Sequence, residues 1–557
     1  MRLSLSKIEV DEMREIFILS LLIFLCLISG KIYATSYKGN FNYVDPYKAV
    51  EDMDPGWNLG NALDAIPDET SWGNPKTEEY VFEDIKRMGF RSVRIPVTWV
   101  DHMGPAPDYK VDKEWMDRVE EVVNMALKKD LYVIINVHHD SWRWLSKEMK
   151  LDKEGTINKL EKLWLQIADR FKDYSEKLIF EIINEPTYEG FSEQEAGALQ
   201  NEVNERILRV IRNSGGYNDR RLVVVPPLWT DTYKAEKYFV PPKDPNIIIG
   251  VHYYSPWDFT ANWWGRKSWG TDRDKEQMDK DIRIVREKFP SYAFIIGEYG
   301  LFNGNKPAEW YYFDNLIRVA KKYKMATFYW DNGENYDRRN RVWRDEQAIK
   351  IIINASYGKR NAFLNPGVLY IKENKVKDES VEIELNGNSF VGIYLNGKGL
   401  IQGKDYVQES PNRLILKKEF LKNILTPQSY GVVARLNFKF TESVDYPLDI
   451  VQYKDPVLLD KPFNIISGVP TDLKFIIAFN GARLCAIKVF DAKTGRPIRD
   501  SWTPYLRGWD DFSVIDSQVI IKKHVFENLS KYQNIDSLKI IFEFLSGEII
   551  ETTLKVI

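Results

Sequence analysis

The stretch Leu178–Glu185 reads LIFEIINE, a short apolar run that ends in a carboxylate. Similar runs recur between residues 55 and 333. They are Gly56–Gly60, Ser92–Val97, Tyr132–His139, Leu178–Glu185, Leu222–Trp229, Ile247–Tyr254, Ala293–Tyr299 and Met325–Trp330. Near-continuous runs of Val, Ile and Phe are typical of strands that are buried on both faces of a parallel sheet. We therefore predict eight buried parallel strands in this part of the chain.

The segments between these runs carry helical spacing. In 115–128, one stripe is formed by Trp115, Val119, Val122, Val123, Ala126 and Leu127. Eight strand–helix units in roughly 300 residues predict an α/β fold, a (β/α)8 TIM barrel. A doubly wound open sheet is the alternative, but the sequence has no Gly-rich phosphate-binding fingerprint to favour it.

The pattern changes after about residue 358, where Gly358–Gly367 reads as a linker. Short alternating runs then follow, separated by turn signals at Asn386-Gly387, Asn396-Gly397, Gly403–Asp405, Asn480-Gly481, Lys493–Gly495 and Ser546-Gly547. A break at Tyr453–Pro456 divides this region in two. We predict a catalytic barrel over residues 45–358, followed by two all-β sandwiches over 365–458 and 460–557.

The first residues predict a signal peptide, residues 1–34. The apolar run Ile16–Ile28 is too short for an ordinary transmembrane helix. The segment before it mixes acidic and basic residues, whereas a start at Met13 gives a conventional leader with cleavage after Ala34. We expect a secreted, extracellular protein that has no membrane attachment after cleavage.

Composition narrows the choice of partner. A net charge of −3 and a pI near 6.1 give no basic footprint for nucleic acid, so a neutral partner is favoured. The chain has two cysteines, Cys26 and Cys485, which excludes a disulfide framework. We expect the second to be a buried small apolar residue. The 17 Trp and 30 Tyr exceed what a core needs, and the surplus fits platforms that stack on sugar rings.

Polar residues follow or end several predicted strands. They are Arg94, His138, Asn184, Glu185, His252, Tyr254, Glu298 and Trp330. In a barrel of this kind the carboxyl ends of all strands face one shared site. Three of the five histidines, His138, His139 and His252, also lie at strand ends. The sequence therefore places a functional site at this end of the barrel.

Glu185 and Glu298 are the strongest pair, since each ends a buried run, at the fourth and seventh strands. A buried carboxylate is costly unless it is paired or functional. Cleavage of an acetal needs one carboxylic acid to protonate the leaving oxygen and one carboxylate to attack or to activate water. We expect a nearby anion to raise the pKa of the acid toward about 6 to 7.

The neighbours of this pair receive supporting roles. Arg94 and Tyr254 are expected to keep the nucleophile charged, and Asn184 to bond the sugar 2-hydroxyl. His138 and His252 are expected to orient the substrate. Metal catalysis is disfavoured, because adjacent strand residues such as His138 and His139 point to opposite faces. No cofactor and no metal are expected, and no Gly-x-Ser-x-Gly elbow is present in the sequence.

These residues stand in motifs that resemble a known family. The motifs are Gly56–Asn61, Arg94–Pro96, Val137–His139, Asn184–Pro186, His252–Tyr254, Gly297–Gly300 and Trp330. They are similar to the clan A glycoside hydrolases of family 5, and Thr70–Pro75 resembles a subfamily of bacterial endoglucanases and xyloglucanases. The resemblance covers about residues 45–358. One departure is Tyr299, where many relatives carry Phe.

The resemblance implies a retaining double displacement, with Glu185 as acid/base and Glu298 as nucleophile. The two carboxyl groups are then expected to lie about 5–5.5 Å apart. The residues assigned to substrate binding are Asn61, Arg94, His138, His139, Asn184, Trp229, His252, Tyr254, Trp330 and Trp502.

The β region is more loosely similar to an immunoglobulin-like module followed by a carbohydrate-binding module of family 46. Asn396–Leu400 and Gly403–Tyr406 resemble the first. Phe479–Gly481, Trp502 and Phe544–Glu548 resemble the second. We expect either Trp502 or Trp509 to stack on glucan, and the alternative is that both fill the sandwich core.

Eight tryptophans lie near predicted strand ends: Trp57, Trp72, Trp142, Trp144, Trp229, Trp263, Trp264 and Trp269. About half are expected in the core and the rest in an open groove, which favours an endo-acting enzyme. The predicted activity is an endo-β-1,4-glucanase on cellulose and related β-glucans, including xyloglucan and mixed-linkage glucan. A β-mannanase and a non-catalytic polysaccharide-binding protein are the alternatives. We expect a monomer whose partner is a β-glucan polysaccharide.

The signal-peptide hypothesis is tested on protein recovered from the culture medium of a secreting host. Edman degradation or terminal mass mapping is expected to show a mature chain that begins at Thr35. A secreted protein whose first residue lies well before residue 30 would contradict it.

Overall fold

The computed structural model describes residues 38–557 except 262–265, 302–303, 466–468, 509, 528 and 530–534. The signal peptide, Cys26, Trp263, Trp264 and Trp509 lie outside the described residues. Among the residues that are described, no helix has both the length and the apolar character needed to cross a membrane.

Eight strands form a closed barrel in the sequential order β1 to β8, which confirms the predicted fold class. The strands are β1 Gly56–Leu59, β2 Ser92–Ile95, β3 Tyr132–Asn136, β4 Leu178–Glu181, β5 Val223–Val225, β6 Ile247–His252, β7 Ala293–Tyr299 and β8 Met325–Asp331. Neighbouring strands pair in parallel, as in β1 with β2 and in β3 with β4.

Helices alternate with these strands. They are α1 Pro46–Met53, α2 Glu79–Met88, α3 Lys113–Lys128, α4 Lys153–Phe171, α5 Glu193–Asn213, α6 Thr232–Tyr238, α7 Asp272–Lys288, α8 Lys306–Lys322 and α9 Glu346–Ser356. Their starts are set by local capping. The Asp45 side chain accepts hydrogen bonds from the first backbone N–H groups of α1, and Ser192 with Glu195 forms a capping box on α5. A short hairpin, β9 Tyr336–Asp337 and β10 Val342–Trp343, follows β8.

Several strands end earlier than the apolar runs predict. β3 stops at Asn136 and β4 at Glu181, so His138, Asn184 and Glu185 lie in the loops beyond the strands. The loop that follows β4 is still tied to β3, since the backbone N–H of Asn184 donates to the carbonyl of Val137. These residues are therefore free of the strict alternation of a strand but are held at its end.

The barrel interior has an apolar lower layer. Inward-facing side chains from the strands form one buried cluster, which includes Ile134, Ile179, Val224, Ile248, Ile295 and Phe328. Ala49, Val50 and Met53 of α1 pack into the same cluster and close the amino-terminal end of the barrel. Burial of these side chains holds the strands in register and leaves the polar layer above them on a rigid base.

Two β-sandwiches follow the barrel. The first has a sheet of β11 Phe363–Asn365, β13 Glu379–Glu384, β17 Arg413–Leu416 and β16 Tyr406–Ser410. Its second sheet has β12 Val368–Lys372, β19 Tyr446–Tyr453, β18 Gly431–Phe440, β14 Phe390–Leu395 and β15 Lys398–Gly399. A helix, α10 Lys418–Ile424, lies between β17 and β18.

The second sandwich has two four-stranded sheets. One has β20 Val457–Asp460, β22 Leu473–Ala478, β25 Gln518–Ile521 and β24 Phe512–Ile515. The other has β21 Asn464–Ile465, β27 Ile549–Val556, β26 Ser537–Phe544 and β23 Leu484–Asp491. Alternating inward side chains of both sheets, such as Phe475 and Phe542, form its buried core.

The chain divides into two compact units. The second unit consists of residues 253–283, 298–323 and 345–557, so α8 belongs to the same unit as both sandwiches. Within it, Tyr311 of α8 donates to Glu384 of β13, and Lys267 is paired with Glu543 of β26.

Arg221, just before β5, holds the lower side of the barrel together. Its buried guanidinium donates to the side-chain oxygen of Asn218 and to the carbonyls of Phe171, Lys172, Tyr174, Ser175 and Leu178. One guanidinium therefore donates to carbonyls at the end of α4, in the turn that follows and at the start of β4.

Replacing this guanidinium tests that role. Arg221→Met is expected to lower the free energy of unfolding by about 3–5 kcal/mol, because several buried carbonyls lose their donors. Chemical denaturation followed by fluorescence measures the change. The control is Arg220→Met at the neighbouring exposed position, for which we expect a change within about 0.5 kcal/mol. Equal effects of the two substitutions would contradict this account.

Candidate active site

A buried ion pair lies at the centre of the polar layer. Arg94 of β2 donates from Nε to Oε2 of Glu181 at 2.6 Å and from Nη2 to Oε1 at 3.0 Å. Both side chains are almost fully buried. A bidentate pair of this kind fixes the plane of the guanidinium as well as its position.

The remaining donors of Arg94 orient two amides. Nη2 also donates to Oδ1 of Asn184 at 2.8 Å, and Nη1 donates to Oδ1 of Asn58 at 3.0 Å. Because the carbonyl end of the Asn184 amide faces Arg94, its N–H2 group is the end that is turned away. Glu181 thus acts on Asn184 through Arg94.

Glu181 and Asn58 are site residues that the sequence interpretation missed. Glu181 stands inside the apolar run of β4, where it looks like an interruption of a buried strand. Strand alternation could have shown that Glu181 faces the barrel interior. Residues two apart on a strand share a face, and Glu181 is two residues from the inward-facing Ile179.

The protonation of His138 follows from the amide beside it. Asn136 accepts a hydrogen bond at Oδ1 from the backbone N–H of Val97, so its Nδ2 group faces Nδ1 of His138 at 3.0 Å. Nδ1 of His138 is therefore an acceptor, and the ring proton sits on Nε2. Burial lowers the pKa of His138 well below its usual value, and the positive charges of its neighbours act in the same direction. The neutral ring stacks on Trp330, with centroids 5.8 Å apart and planes at 8°.

Glu185 lies beyond β4 and contacts a histidine. Its Oε1 is 2.8 Å from Nδ1 of His252, the last residue of β6, and 46% of its side-chain surface is exposed. Its backbone is in the left-handed region, with φ of 37°. A non-glycine residue pays strain there, which is common where a side chain must be aimed at a substrate.

The expected rise in the pKa of Glu185 is wrong. Desolvation raises the pKa of this carboxyl, but the hydrogen bond from His252 and the positive charges of His252, Arg94 and His139 outweigh it. The pKa therefore lies below its ordinary value. The sequence argument considered a second anion and did not foresee the cationic partner at the end of β6.

Glu298 of β7 is in a different environment. Its side chain is buried, and its Oε2 accepts a hydrogen bond of 2.9 Å from the hydroxyl of Tyr254. The Tyr254 ring stacks on the exposed ring of Trp257, with centroids 5.9 Å apart. The preceding residue has to be small, because a Cβ on Gly297 would lie 3.2 Å from Nε2 of His252.

The two carboxylates come close together at the mouth of the barrel. Glu185, His252 and Glu298 each present a side-chain oxygen or nitrogen, and these three atoms lie within 4.8 Å of one another. Inverting glycosidases need carboxyl groups about 6.5–9.5 Å apart to admit a water, whereas retaining ones use about 5–5.5 Å. The separation falls on the short side.

His138 and His139 do not diverge, so this argument against a metal was wrong. β3 has already ended, and the two imidazole rings meet edge to face with centroids 4.5 Å apart. The side chain of Asp64 lies beside them. Nδ1 of His139 accepts a hydrogen bond of 2.9 Å from the indole of Trp142, just as Nδ1 of His138 accepts one from Asn136.

The predicted tryptophans divide between core and surface. Trp57, Trp144 and Trp269 are buried, whereas Trp72, Trp142 and Trp229 are exposed. Trp229 exposes 54% of its surface, and its backbone is in the left-handed region with φ of 60°. Its backbone N–H donates to the carbonyl of Pro186. The loop after β5 is thereby attached to the loop that carries Glu185. Exposed Trp257 was not anticipated.

The remaining predicted residues have these positions. Asn61 has a left-handed backbone with φ of 54°, and its N–H donates to the buried Asp64. Trp502 exposes 61% of its surface, so it does not fill the sandwich core. Cys485 is half-buried, not buried as expected, and its thiol donates to the carbonyl of Glu543 at 3.1 Å.

Comparison with known proteins places this geometry in a family. Residues 60–336 match the model for cellulase, glycosyl hydrolase family 5. Endoglucanase B of Paenibacillus lautus is 33% identical over 530 residues, which cover 91% of each chain. The chain belongs to glycosyl hydrolase family 5.

Solved structures of family 5 proteins agree over both the barrel and the β region. A tri-modular subfamily 4 endo-β-1,4-glucanase from Bacillus licheniformis is 41% identical, with a TM-score of 0.85 over 92% of this chain and 100% of that one. A broad-specificity endoglucanase from Clostridium acetobutylicum is 35% identical, with a TM-score of 0.54 over 56% of this chain and 100% of that one. Residues 368–450, expected to be immunoglobulin-like, match carbohydrate binding domain X2. This family 5 member is a glycoside hydrolase with a carbohydrate-binding module.

The role of Glu181 is tested by Glu181→Gln. Misorientation of Arg94 and Asn184 is expected to lower kcat/KM by about 10²-fold. The uncompensated charge of Arg94 is also expected to lower the pKa of the catalytic acid. The acid must be protonated at the start of turnover, so the basic limb of the pH–rate profile moves to lower pH.

Steady-state kinetics across pH measure both effects, with Glu189→Gln in the exposed loop after β4 as the control. A lower melting temperature with an unmoved basic limb would show that Glu181 is only structural.

Proposed function

We propose that this protein is a secreted, retaining endo-β-1,4-glucanase that hydrolyses internal bonds of cellulose and related β-glucans. The observation that carries the proposal is the close approach of Glu185, in the loop after β4, and Glu298, in β7, within a family 5 barrel. Each carboxylate has a different partner, which gives the two groups different chemistry.

In the first step, an oxygen of Glu298 attacks the anomeric carbon and forms a glycosyl ester. The bond from this carbon to the glycosidic oxygen breaks, and that oxygen takes a proton from Glu185. The hydroxyl of Tyr254 donates to Oε2 of Glu298 at 2.9 Å. This hydrogen bond favours the ionised form that the nucleophile needs.

Glu185 has to carry a proton when the substrate is bound. The sugar chain covers the exposed part of its carboxyl and removes water, and the loss of water raises the pKa of this group. Nδ1 of His252 lies 2.8 Å from Oε1 of Glu185, so protonated His252 can transfer its Nδ1 proton to this oxygen and become a neutral imidazole. His252 is thus a positioning and proton-sharing partner of the acid.

In the second step, Glu185, now a carboxylate, takes a proton from water as the water oxygen attacks the anomeric carbon. The ester bond to Glu298 breaks, and the electron pair returns to its carboxylate. Two inversions at the same carbon leave its configuration unchanged. The N–H2 group of Asn184, oriented by Arg94, is the donor for the sugar 2-hydroxyl.

Exposed indoles mark where the polysaccharide binds. Trp72, Trp142, Trp229 and Trp257 present apolar faces that fit pyranose rings. Several stacking contacts are needed for useful affinity, since each is worth about 0.5–1.5 kcal/mol beyond its buried area. A row of such platforms favours attack within long chains. Related subfamily 4 structures hold cellotetraose or cellotriose.

The range of substrates and the accessory modules are part of the proposal. The relative from Clostridium acetobutylicum is a broad-specificity endoglucanase, and we propose that the range of this protein includes xyloglucan and mixed-linkage glucan. The terminal sandwich is proposed to be a carbohydrate-binding module similar to family 46, with the exposed Trp502 as its platform. The protein is proposed to act as a secreted monomer on neutral glucans.

Substitution of the two glutamates tests their roles. Glu298→Gln is expected to lose about 10⁴-fold or more in kcat, since no ester can form. Glu185→Ala is expected to hydrolyse aryl cellobiosides with good leaving groups but to accumulate ester, and azide is expected to restore turnover with a β-glycosyl azide as product. Wild-type rates for either variant would remove that residue from the mechanism.

A substrate panel separates glucanase from mannanase. Reducing-sugar release is expected from carboxymethylcellulose, xyloglucan and lichenan, with little release from β-mannan. The Glu298→Gln variant is the blank for every substrate. Faster release from mannan than from every glucan would overturn the assigned substrate class while leaving the glycosidase chemistry in place.

A further inference from the structure

A second concave site lies in the unit that contains α8 and the sandwiches. It is a crevice of about 770 Å³. Its walls come from the start of α7, from α8, and from the first sandwich between β11 and β13. None of the residues assigned to catalysis or substrate binding lines it. A volume of this size is typical of a preformed ligand site.

The floor of the crevice is aromatic and tightly packed. Tyr311 of α8 meets Phe363 of β11 edge to face, with centroids 4.8 Å apart, and Trp269 packs on its other side at 6.2 Å. Gly270 lies against the same ring, since a Cβ there would be 2.4 Å from Tyr311. These contacts hold the walls in place, so the crevice does not have to be opened by a ligand.

The rim of the crevice carries polar side chains that can donate and accept hydrogen bonds. The hydroxyl of Tyr311 donates to Glu384, and Nζ of Lys275 lies 5.1 Å above the centroid of the Tyr311 ring. Asn365 and Asn412 also line the crevice, and within the described ranges their side-chain amides make no hydrogen bond. An amide offers both a donor and an acceptor, which suits a hydroxyl group.

The charges of the rim favour a neutral ligand. Glu382 and Glu384 disfavour an anion, and Lys275 disfavours a cation. Seven lining residues belong to the span that matches carbohydrate binding domain X2: Val368, Tyr370, Glu382, Ile383, Glu384, Asn412 and Tyr446. Amides and carboxylates are groups that hydrogen-bond the hydroxyls of a neutral sugar.

We propose that this crevice is a second saccharide-binding site, which takes two or three glucosyl units of a β-glucan. The proposal shares the substrate class of the proposed function but not its chemistry, so each can fail alone. The bound segment is held by the amides of Asn365 and Asn412 and by the carboxylates of β13. The barrel and the X2 module then hold the same polysaccharide, or two neighbouring chains, at separate places.

Titration calorimetry on the inactive full-length Glu298→Gln variant tests the proposal, with cellotetraose as the probe. We expect two equivalents to bind. Adding Asn365→Ala and Asn412→Ala is expected to weaken one of the two sites about tenfold or more, because the sugar loses its hydrogen bonds to the two amides. Both amides are exposed, so their removal is expected to have little effect on folding. Adding Trp229→Ala instead is expected to weaken only the other site.

A control separates the crevice from catalysis. With Glu298 intact, Asn365→Ala and Asn412→Ala are expected to leave the rate on a soluble aryl cellobioside unchanged. If only one equivalent of cellotetraose binds and Trp229→Ala weakens it, the crevice is not a saccharide site, and the proposed function stands. If two equivalents bind and the two Asn substitutions weaken neither, the second site lies elsewhere, and the proposal for the crevice is wrong. If the two Asn substitutions weaken binding but the wild type shows no catalysis, the proposed function is wrong and the crevice site stands.

Discussion

The buried ion pair of Arg94 with Glu181 is the interaction on which the rest of the active site depends. Removing two charges from water is costly, and the cost is offset only when every donor and acceptor is satisfied. Here the guanidinium also donates to Asn58 and Asn184, so the pair fixes the amide that precedes Glu185. The apolar layer below it, closed by α1, makes this arrangement rigid.

Above that layer, two glutamates share one mouth and differ in their partners. Glu298 is buried and accepts from a tyrosine, which suits a permanent carboxylate. Glu185 is half-exposed and paired with His252, whose hydrogen bond and charge lower the pKa of its carboxyl. Environments that separate the proton affinities of two like groups are what assign acid and nucleophile in a carboxylate pair. Glu185 and Trp229 both have a left-handed backbone, and a backbone hydrogen bond from Trp229 to Pro186 joins the two loops that carry them.

Sequence patterns predicted the strands, which are formed by burial of apolar side chains. They missed the features of the site that depend on polar contacts between residues far apart in the chain. Eight apolar runs predicted the eight strands, and glutamates at the ends of two runs predicted the carboxylate pair. Glu181 was missed because its partner, Arg94, is 87 residues away in the chain. The orientation of His138 and His139 was wrong because β3 ends before them, a boundary that side-chain pattern does not fix. The pKa of Glu185 depended on His252, whose contact exists only in the closed barrel.

The central claim is that two carboxylates at retaining distance act by double displacement. The stereochemistry of the first product tests it most directly. Proton NMR of cellotetraose during rapid hydrolysis by a large amount of enzyme resolves the anomeric protons of the new reducing ends. The account predicts that the β-anomer appears first and that the α-anomer grows later by mutarotation. Initial release of the α-anomer would show inversion and contradict the roles given to Glu185 and Glu298.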